Sequence, residues 1–249
     1  MDNEAFFTQN GYIVFNDLLS SSEWKQIDSI YNAILTNTID LSENRSDLSG
    51  KGRGINAVEK ITQIMRPSDK IPFFKTSKLL KECTQLSKKL LGADMALDFD
   101  MLINKAPHTN TPTPWHQDEA YWPTMPDKRA LSFWIAIDDA TKENGCMWYA
   151  PKSHLQPQLE KHVQLPNGGA LCCQWSEEEA LCIPIAKKSD VAHHGRTLHY
   201  SRGNSTSGNR RAYILNFRPQ AMIDLERSLG FDHTGNVAFN PDFQLLFFI

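Results

Sequence analysis

The hydrophobic period of the chain changes at Gly92, and this change limits the fold more than any other feature. Before it, apolar residues recur at helical spacing. Trp24, Ile27, Ile30, Tyr31, Ile34 and Leu35 share one face behind a capping box from Ser20 to Glu23. Leu79, Leu80, Cys83, Leu86 and Leu90 share another over Lys78 to Leu91, with Gly92 as the stop. After Gly92, apolar and polar residues alternate over 96–105, 130–138, 146–150, 180–185 and 212–218, between clusters of Pro, Gly, Asn and Asp. A short strand is also expected at Tyr12 to Phe15, after Asn10-Gly11. Helices first and many short strands later predict an α+β protein with a closed or double-sheet β core. Residues 36–54 are polar with several glycines and read as a long surface loop, a candidate lid. No internal repeat, linker or low-complexity stretch divides the chain, so residues 1–249 are expected to form a single domain.

Composition narrows the function. With 26 Lys and Arg against 29 Asp and Glu, the net charge is −3, and no basic stripe stands out. Nucleic acid and an anionic membrane surface are therefore not expected as partners. The longest apolar runs, such as Leu245 to Ile249, are far too short to span a bilayer. The N-terminal Asp2, Asn3 and Glu4 do not resemble a signal peptide. Five cysteines, an odd number without C-x-x-C spacing, suggest reduced thiols and a cytoplasmic location. A zinc site from Cys172, Cys173, Cys182 and His193 is disfavoured, because adjacent cysteines serve one tetrahedral ion poorly.

The residues that carry chemistry begin at Trp115-His116-Gln117-Asp118, beside a predicted strand. On an extended backbone, positions i and i+2 project to one side, so His116 and Asp118 can address one ion. Alone, His-x-Asp is weak. A second half lies far along the chain, at His199, with Arg210 eleven positions beyond it at the start of the next predicted strand. Two imidazoles and one carboxylate on one face of a metal are the ligand set of non-haem Fe(II) oxygenases, which keep three positions open. A 2-oxo acid filling two of them needs a guanidinium for its distant carboxylate. Arg210 and Arg211 are adjacent and only one can point inward; the spacing from His199 favours Arg210. Leu131, Phe133, Ile135 and Ile137 alternate with Ser132, Trp134 and Ala136, so one set packs on the core and the other faces a cavity. By itself that pattern favours core packing for Trp134. Tyr121 and Trp122 read equally as rim aromatics touching a substrate or as satellite core. Glu119 reads as solvated, or as the partner of a cationic substrate group. His154 is expected to hydrogen-bond in a turn, and one of His193 and His194 to pack beside the metal ligands. His108, His162 and His233 lie in polar segments and are expected to be solvated.

In this arrangement the sequence resembles the phytanoyl-CoA dioxygenase-like 2-oxoglutarate oxygenases. The matching stretches run in order: Met101 to Lys105, His116 to Asp118, Trp134 to Ala136, Glu143 to Gly145, Pro151 to His154, and His199 to Arg210. The resemblance implies a double-stranded β-helix, a cupin-like jelly-roll barrel with N-terminal and flanking helices. It implies Fe(II) on His116, Asp118 and His199, with 2-oxoglutarate as co-substrate held by Arg210. It places Trp134, Met101, Gln117 and Ser201 near the 2-oxo acid. Gln63 falls where some relatives carry a lysine, so that contact is neutral or absent here, and Lys152 replaces a glycine of the family's Pro-Gly-Ser-His. It implies O2 and a small-molecule substrate, with Tyr121, Trp122 and Glu119 as the candidate substrate residues. Halogenating relatives lack the carboxylate present here as Asp118, so hydroxylation is the expected outcome. Three rival readings stand beside this one: a non-catalytic cupin-like binding or sensor protein, an acyl-CoA hydroxylase of the same family, and a zinc hydrolase using two His and one Asp.

Overall fold

The computed structural model describes residues 2–50, 59–166 and 170–233. Lys51 and Arg53 of the expected loop, and the apolar C-terminal run, lie outside the described residues. Helices are α1 (Asn3–Asn10), α2 (Ser21–Leu35), α3 (Pro72–Thr76), α4 (Lys78–Leu91) and α5 (Gln220–Ser228). The first strands are β1 (Tyr12–Phe15), β2 (Arg45–Asp47), β3 (Ile61–Met65), β4 (Met95–Lys105), β5 (Thr113–His116) and β6 (Leu131–Ala136). They are followed by β7 (Met147–Tyr149), β8 (Val163–Gln164), β9 (Leu171–Cys172), β10 (Leu181–Ile183), β11 (Asp190–His194), β12 (His199–Ser201) and β13 (Arg210–Pro219).

Two antiparallel sheets form a jelly-roll. The larger has the order β1-β11-β6-β13-β4-β3-β2 and the smaller β10-β7-β12-β5. The two expected helices pack on the outer face of the larger sheet. Ile27, Tyr31 and Ile34 of α2 and Leu79, Cys83 and Leu90 of α4 join Leu131, Phe133, Ile135, Tyr213, Leu215 and Phe217 in one core. Each such side chain withdrawn from water stabilises the fold by about 1.5–3 kcal/mol. Strand alternation sends the other parity inward. Trp134, Ala136, Ala212 and Ile214 form a second core between the sheets, with Met147 and Tyr149 from the opposing one. Trp134 is thus on the cavity side, against the bare pattern and in line with the family resemblance.

The short helix α1 was not expected from hydrophobic period. It is held by its ends: Asp2 caps its first turn, and Gly11 closes it in the left-handed region. The loop expected over 36–54 contains a strand, because Arg45–Asp47 pairs with Ile64, Gln63 and Thr62 of β3. Arg-Ser-Asp has little strand propensity of its own, so this pairing is decided by the neighbouring edge. Gly145 ends the turn before β7 at φ 94°, and a Cβ there would sit 2.4 Å from the Arg202 carbonyl oxygen. That close approach holds the β12–β13 connection against the 143–145 turn, which also accepts a hydrogen bond from Ser205 N through Glu143 O. No helix among the described residues is long and apolar enough to cross a membrane.

Candidate metal and co-substrate site

β5 and β12 lie side by side with His116 directly opposite His199. Their ring centroids are 4.1 Å apart. Asp118 opens a single helical turn (Asp118–Tyr121) just past β5, which swings its carboxylate back toward both rings. Its Oδ1 lies 3.4 Å from His199 Nε2 and 3.8 Å from His116 Nε2. These three atoms are mutually close enough to hold one ion.

Each of the three is fixed from behind. His116 Nδ1 is 2.7 Å from the Pro114 carbonyl oxygen, and His199 Nδ1 is 2.8 Å from that of Thr197. A carbonyl can only accept, so each Nδ1 donates and each Nε2 is left with a lone pair toward the centre. Burial, with the neighbouring His199, pushes His116 down to about 3, which keeps its imidazole neutral as metal ligation requires. Asp118 Oδ2 accepts from Ser132 Oγ at 2.8 Å, and Ser132 Oγ accepts in turn from Asn216 Nδ2 at 2.9 Å. His193 Nε2 donates to the same Oδ2 from 3.2 Å, and Tyr149 OH lies 3.2 Å from His193 Nδ1. With Oδ2 occupied, Oδ1 is the oxygen turned to the two imidazoles. Burial works against the Asp118 charge, but His199 and the His193 hydrogen bond outweigh it and hold the carboxyl well below its usual range.

Arg210 opens β13 on the inner face and is 1% exposed. Its guanidinium stacks over the Trp134 ring at 5.0 Å. Its Nε and Nη1 are buried without a hydrogen-bond partner. Burial pulls it down to about 10, so it is still charged at neutral pH. A buried cation with idle, forked donors suits a carboxylate ligand. Arg211, one residue on, points the other way and is tied to Asp138 and Asp28. The strand parity expected from the sequence therefore holds.

One cavity of about 770 Å³ joins these groups. His116, Asp118, His199, Arg210, Trp134, Met101, Ser201 and Gln63 all line it. Gln63 Nε2 is 2.8 Å from Met101 Sδ, a neutral contact where some relatives carry a charge. Tyr121 and Trp122 also line the cavity. The Tyr121 hydroxyl is held by Leu171 N at 2.8 Å, and Trp122 lies under Arg218, whose Cζ is 5.0 Å from its ring.

Two expected site residues are elsewhere. Gln117 is buried away from the cavity, donating to Arg196 O at 2.6 Å and accepting from Glu160 N at 2.9 Å. As i+1 between two inward ligands it must point outward, and it anchors the 156–162 segment. Glu119 is also off the cavity wall, held by Arg196 at 3.1 Å and Lys128 at 3.0 Å, so it is not available to a cationic substrate. Two histidines expected in solvent are engaged as well. His162 Nε2 accepts from Gln117 N at 3.1 Å. His233 lies 2.8 Å from Glu226 and 3.2 Å from Asp98, and it lines the cavity. His154, expected to hydrogen-bond within a turn, instead reaches across to α1, with its Nε2 3.1 Å from Thr8 O.

The sequence reading missed the supports Asn216 and Tyr149 and the rim residues Phe99, Phe231 and His233. Asn216 had a signal, as an amide inside the otherwise apolar run 212–217 of β13. The rim did not, because it is assembled by a buried charge network. Asp98 and Glu226, both with fully buried carboxylates, are paired with Arg218 and Arg227. His233 completes the network and brings the 231–233 segment to the mouth of the cavity. Asp98, Glu226 and His233 are spaced like a second ion site, but the two guanidiniums already balance the two carboxylates.

Comparison with known proteins gives the family. The phytanoyl-CoA dioxygenase (PhyH) family model matches residues 7–212. The mouse phytanoyl-CoA dioxygenase domain-containing protein 1 is 30% identical over 128 residues, covering 49% of this chain and 44% of that protein. Human peroxisomal phytanoyl-CoA dioxygenase is 24% identical over 231 residues, covering 87% of this chain and 68% of that protein. The chain spans about half the length of the first curated relatives it matches, at 44%, 57% and 52%. Among solved structures, EvdO2 from Micromonospora carbonacea var. aurantiaca superposes with a TM-score of 0.74 at 28% identity, over 87% of this chain and 90% of that one. EvdO2 has also been crystallised with 2-oxoglutarate. Because the family match runs through every strand from β1 into β13, the chain belongs to the phytanoyl-CoA dioxygenase family of iron- and 2-oxoglutarate-dependent oxygenases.

Proposed function

We propose that this chain hydroxylates a free small organic molecule, using Fe(II) on His116, Asp118 and His199 and 2-oxoglutarate anchored by Arg210. The observation that carries the reading is the buried Arg210 guanidinium, its Nε and Nη1 without hydrogen-bond partners, in the same cavity as three converging ligand atoms. A zinc hydrolase or an inert barrel gives that cation no task, and an unpaired buried charge is costly to keep. When bound, the metal and co-substrate supply the oxidising power of O2, with succinate and CO2 as by-products. The chain's own residues orient and shield. The carbonyls of Pro114 and Thr197 hold the imidazoles in one tautomer, and Ser132 and His193 hold the carboxylate in one orientation. Arg210 would hold the distal carboxylate of the co-substrate, and the Trp134 ring stacked on it covers one face of the guanidinium. Asp118 fills the position that halogenating relatives leave to a halide, which favours hydroxylation.

The substrate end of the cavity favours an uncharged or apolar molecule over a coenzyme A thioester. Its wall is Phe99, Tyr121, Trp122, Phe231 and Met65. Among the described residues the only other arginine on the wall is Arg45, and Glu59 already holds it at 2.9 Å. Glu43, Asp47 and Asp232 add acidic groups to the rim. Among the described residues the phosphates of coenzyme A would meet no unpaired arginine or lysine on that wall. The five cysteines are all free thiols, in keeping with a reducing compartment such as the cytoplasm. The test is an anaerobic titration with Fe(II) and 2-oxoglutarate, then a succinate-release screen that sets free acids and neutral small molecules against matching acyl-CoAs. Hydroxylation of a free molecule is expected. Turnover confined to an acyl-CoA, with the free acid inert, would overturn the substrate assignment.

A further inference from the structure

Cys146 and Cys182 are 36 positions apart in the chain, yet their Sγ atoms lie 3.3 Å from one another. The fold fixes both sides of this contact. β7 begins just after Cys146, and Met147 is the register partner of Ile183 on β10. On the other side of the turn, Ala140 and Ile185 exchange both backbone hydrogen bonds, at 2.9 and 3.1 Å. Residues 141–146 therefore form a turn whose two arms are fastened to the same short stretch, 183–185. Cys146 N closes the turn by donating to Thr141 O at 2.7 Å, behind Gly145 at φ 94°. Cys182 is the register partner of Trp148, so the Cys146 side chain reaches it along the diagonal of the β7–β10 pair.

The two thiols differ in access. Cys146 is completely buried, in the core between the sheets with Trp134 and Ala212. Burial, with the Cys182 sulfur beside it, pushes its thiol well above the usual cysteine range. Cys182 is half-buried on β10, the outermost strand of the smaller sheet, which pairs only with β7. An oxidant from solvent therefore meets Cys182 first, with Cys146 in contact behind it. Neither residue lines the cavity, so this contact lies outside the metal and co-substrate site. The other thiols are placed differently: Cys83 is buried in the core under α4, and Cys173 donates to Trp115 O at 3.3 Å.

We propose that Cys146 and Cys182 are an oxidative modification site, forming a reversible disulfide when the protein meets hydrogen peroxide. Cys182, as its thiolate, attacks one peroxide oxygen; the O–O bond breaks, and the departing hydroxide takes up the thiol proton as water, leaving a sulfenic acid. The Cys146 sulfur then displaces hydroxide from the Cys182 sulfur, and that hydroxide takes the Cys146 proton as a second water. Two thiols and one H2O2 become one disulfide and two waters, with two electrons passing from the sulfurs to the peroxide oxygens. The sulfurs must close from 3.3 Å to about 2.05 Å. β10 has no strand on its other side to resist that movement. The bond would tie β10 to the 141–146 turn, which packs on Arg202 through Gly145. In a reducing compartment such a bond is transient, which suits a redox-responsive pair better than a structural staple.

The test uses the full chain with Mn(II) in place of iron, so that iron does not consume the peroxide. Protein is treated with hydrogen peroxide, unfolded, labelled with a maleimide and weighed by mass spectrometry. The five labelled thiols should fall by two, dithiothreitol should restore all five, and peptide mapping should join Cys146 to Cys182. Cys172→Ser and Cys173→Ser should form the same link within about two-fold of the wild-type rate. Cys146→Ser should instead leave a sulfenic acid on Cys182, captured by dimedone. An unchanged count of five thiols in the wild type overturns the proposal, as does a mapped link from Cys182 to Cys172 or Cys173. Formation of the 146–182 link as fast in urea-unfolded chain as in folded protein also overturns it, because the fold would then not be what poises the pair.

Discussion

Replacing Arg210 with Met should remove co-substrate binding without harming the fold, whereas the same change one residue later should do the reverse. The contrast follows from what each guanidinium touches. Arg210 is buried with two idle nitrogens, and burial pulls it down to about 10, which corresponds to about 3 kcal/mol of disfavour for carrying the charge there. Methionine keeps the apolar stem against Trp134 and removes that charge, so the melting temperature without 2-oxoglutarate should hold or rise. With the co-substrate present, its distal carboxylate loses a charged partner in a dry site, at roughly 2–5 kcal/mol. That weakens binding by a factor of about 30 to several thousand. Arg211 instead bonds Asp138 at 2.6 Å and Asp28 at 2.7 Å, with Asn32 at 2.8 Å. Losing it strands two carboxylates that are about a quarter exposed. The full buried-pair penalty of 3–5 kcal/mol is therefore reduced to about 2–4 kcal/mol. For a chain of this size that lowers the melting temperature by roughly 5–15 °C. Scanning calorimetry of the unliganded variants and 2-oxoglutarate titration of the Mn(II)-loaded ones read both effects. The reasoning is refuted if Arg210→Met binds 2-oxoglutarate like wild type, or if it melts well below wild type while Arg211→Met does not.

Three further outcomes follow from the site and the rim. His199→Ala should lose bound iron and activity together, and Asp118→Gly should abolish hydroxylation while opening a coordination position to halide. Full iron content in the first, measured by elemental analysis, or undiminished hydroxylation in the second would remove these residues from the ligand set. Asp98 is held below its ordinary range: burial opposes its charge, but His233, Arg218 and Arg227 outweigh it. A depressed folded-state carboxyl contributes stability that is present above the unfolded value near 3.9 and lost as the pH falls below it. Urea denaturation at pH 5 and pH 3 should therefore show a smaller acid loss in Asp98→Asn than in wild type, and equal losses would discount the network at the cavity rim.

The parts of the site that were legible in the sequence are those set by strand parity and by donor chemistry. His116 and Asp118 two apart, His199 distant, and Arg210 at a strand start needed only alternation and the ligand habits of iron to be grouped. The misplacement of Gln117 came from letting the family resemblance outweigh the same alternation, which turns i+1 away from the cavity. Glu119, His162 and His233 were misread for a different reason. Their partners, Arg196 and Lys128, Gln117, and Asp98 and Glu226, come from other parts of the chain, and polarity in one segment says nothing about charges arriving from another.

Local sequence thus determined the amphipathic helices α2 and α4, the inner and outer faces of β6 and β13, and the grouping of His116, Asp118 and His199, because each depends on periodicity or on a side chain's own chemistry. Tertiary structure alone decided the rest. A bulge turns Thr113 inward because the pairing between β5 and β12 is mismatched, and β2 exists because the β3 edge is there to pair it. Residues 231–233 line the cavity because Asp98 and Glu226 are buried deeply enough to require Arg218, Arg227 and His233 around them. Charge compensation and strand register are properties of neighbours in space, and no short window of sequence contains Asp98 together with Arg218, Arg227 and His233, or one strand together with its partner.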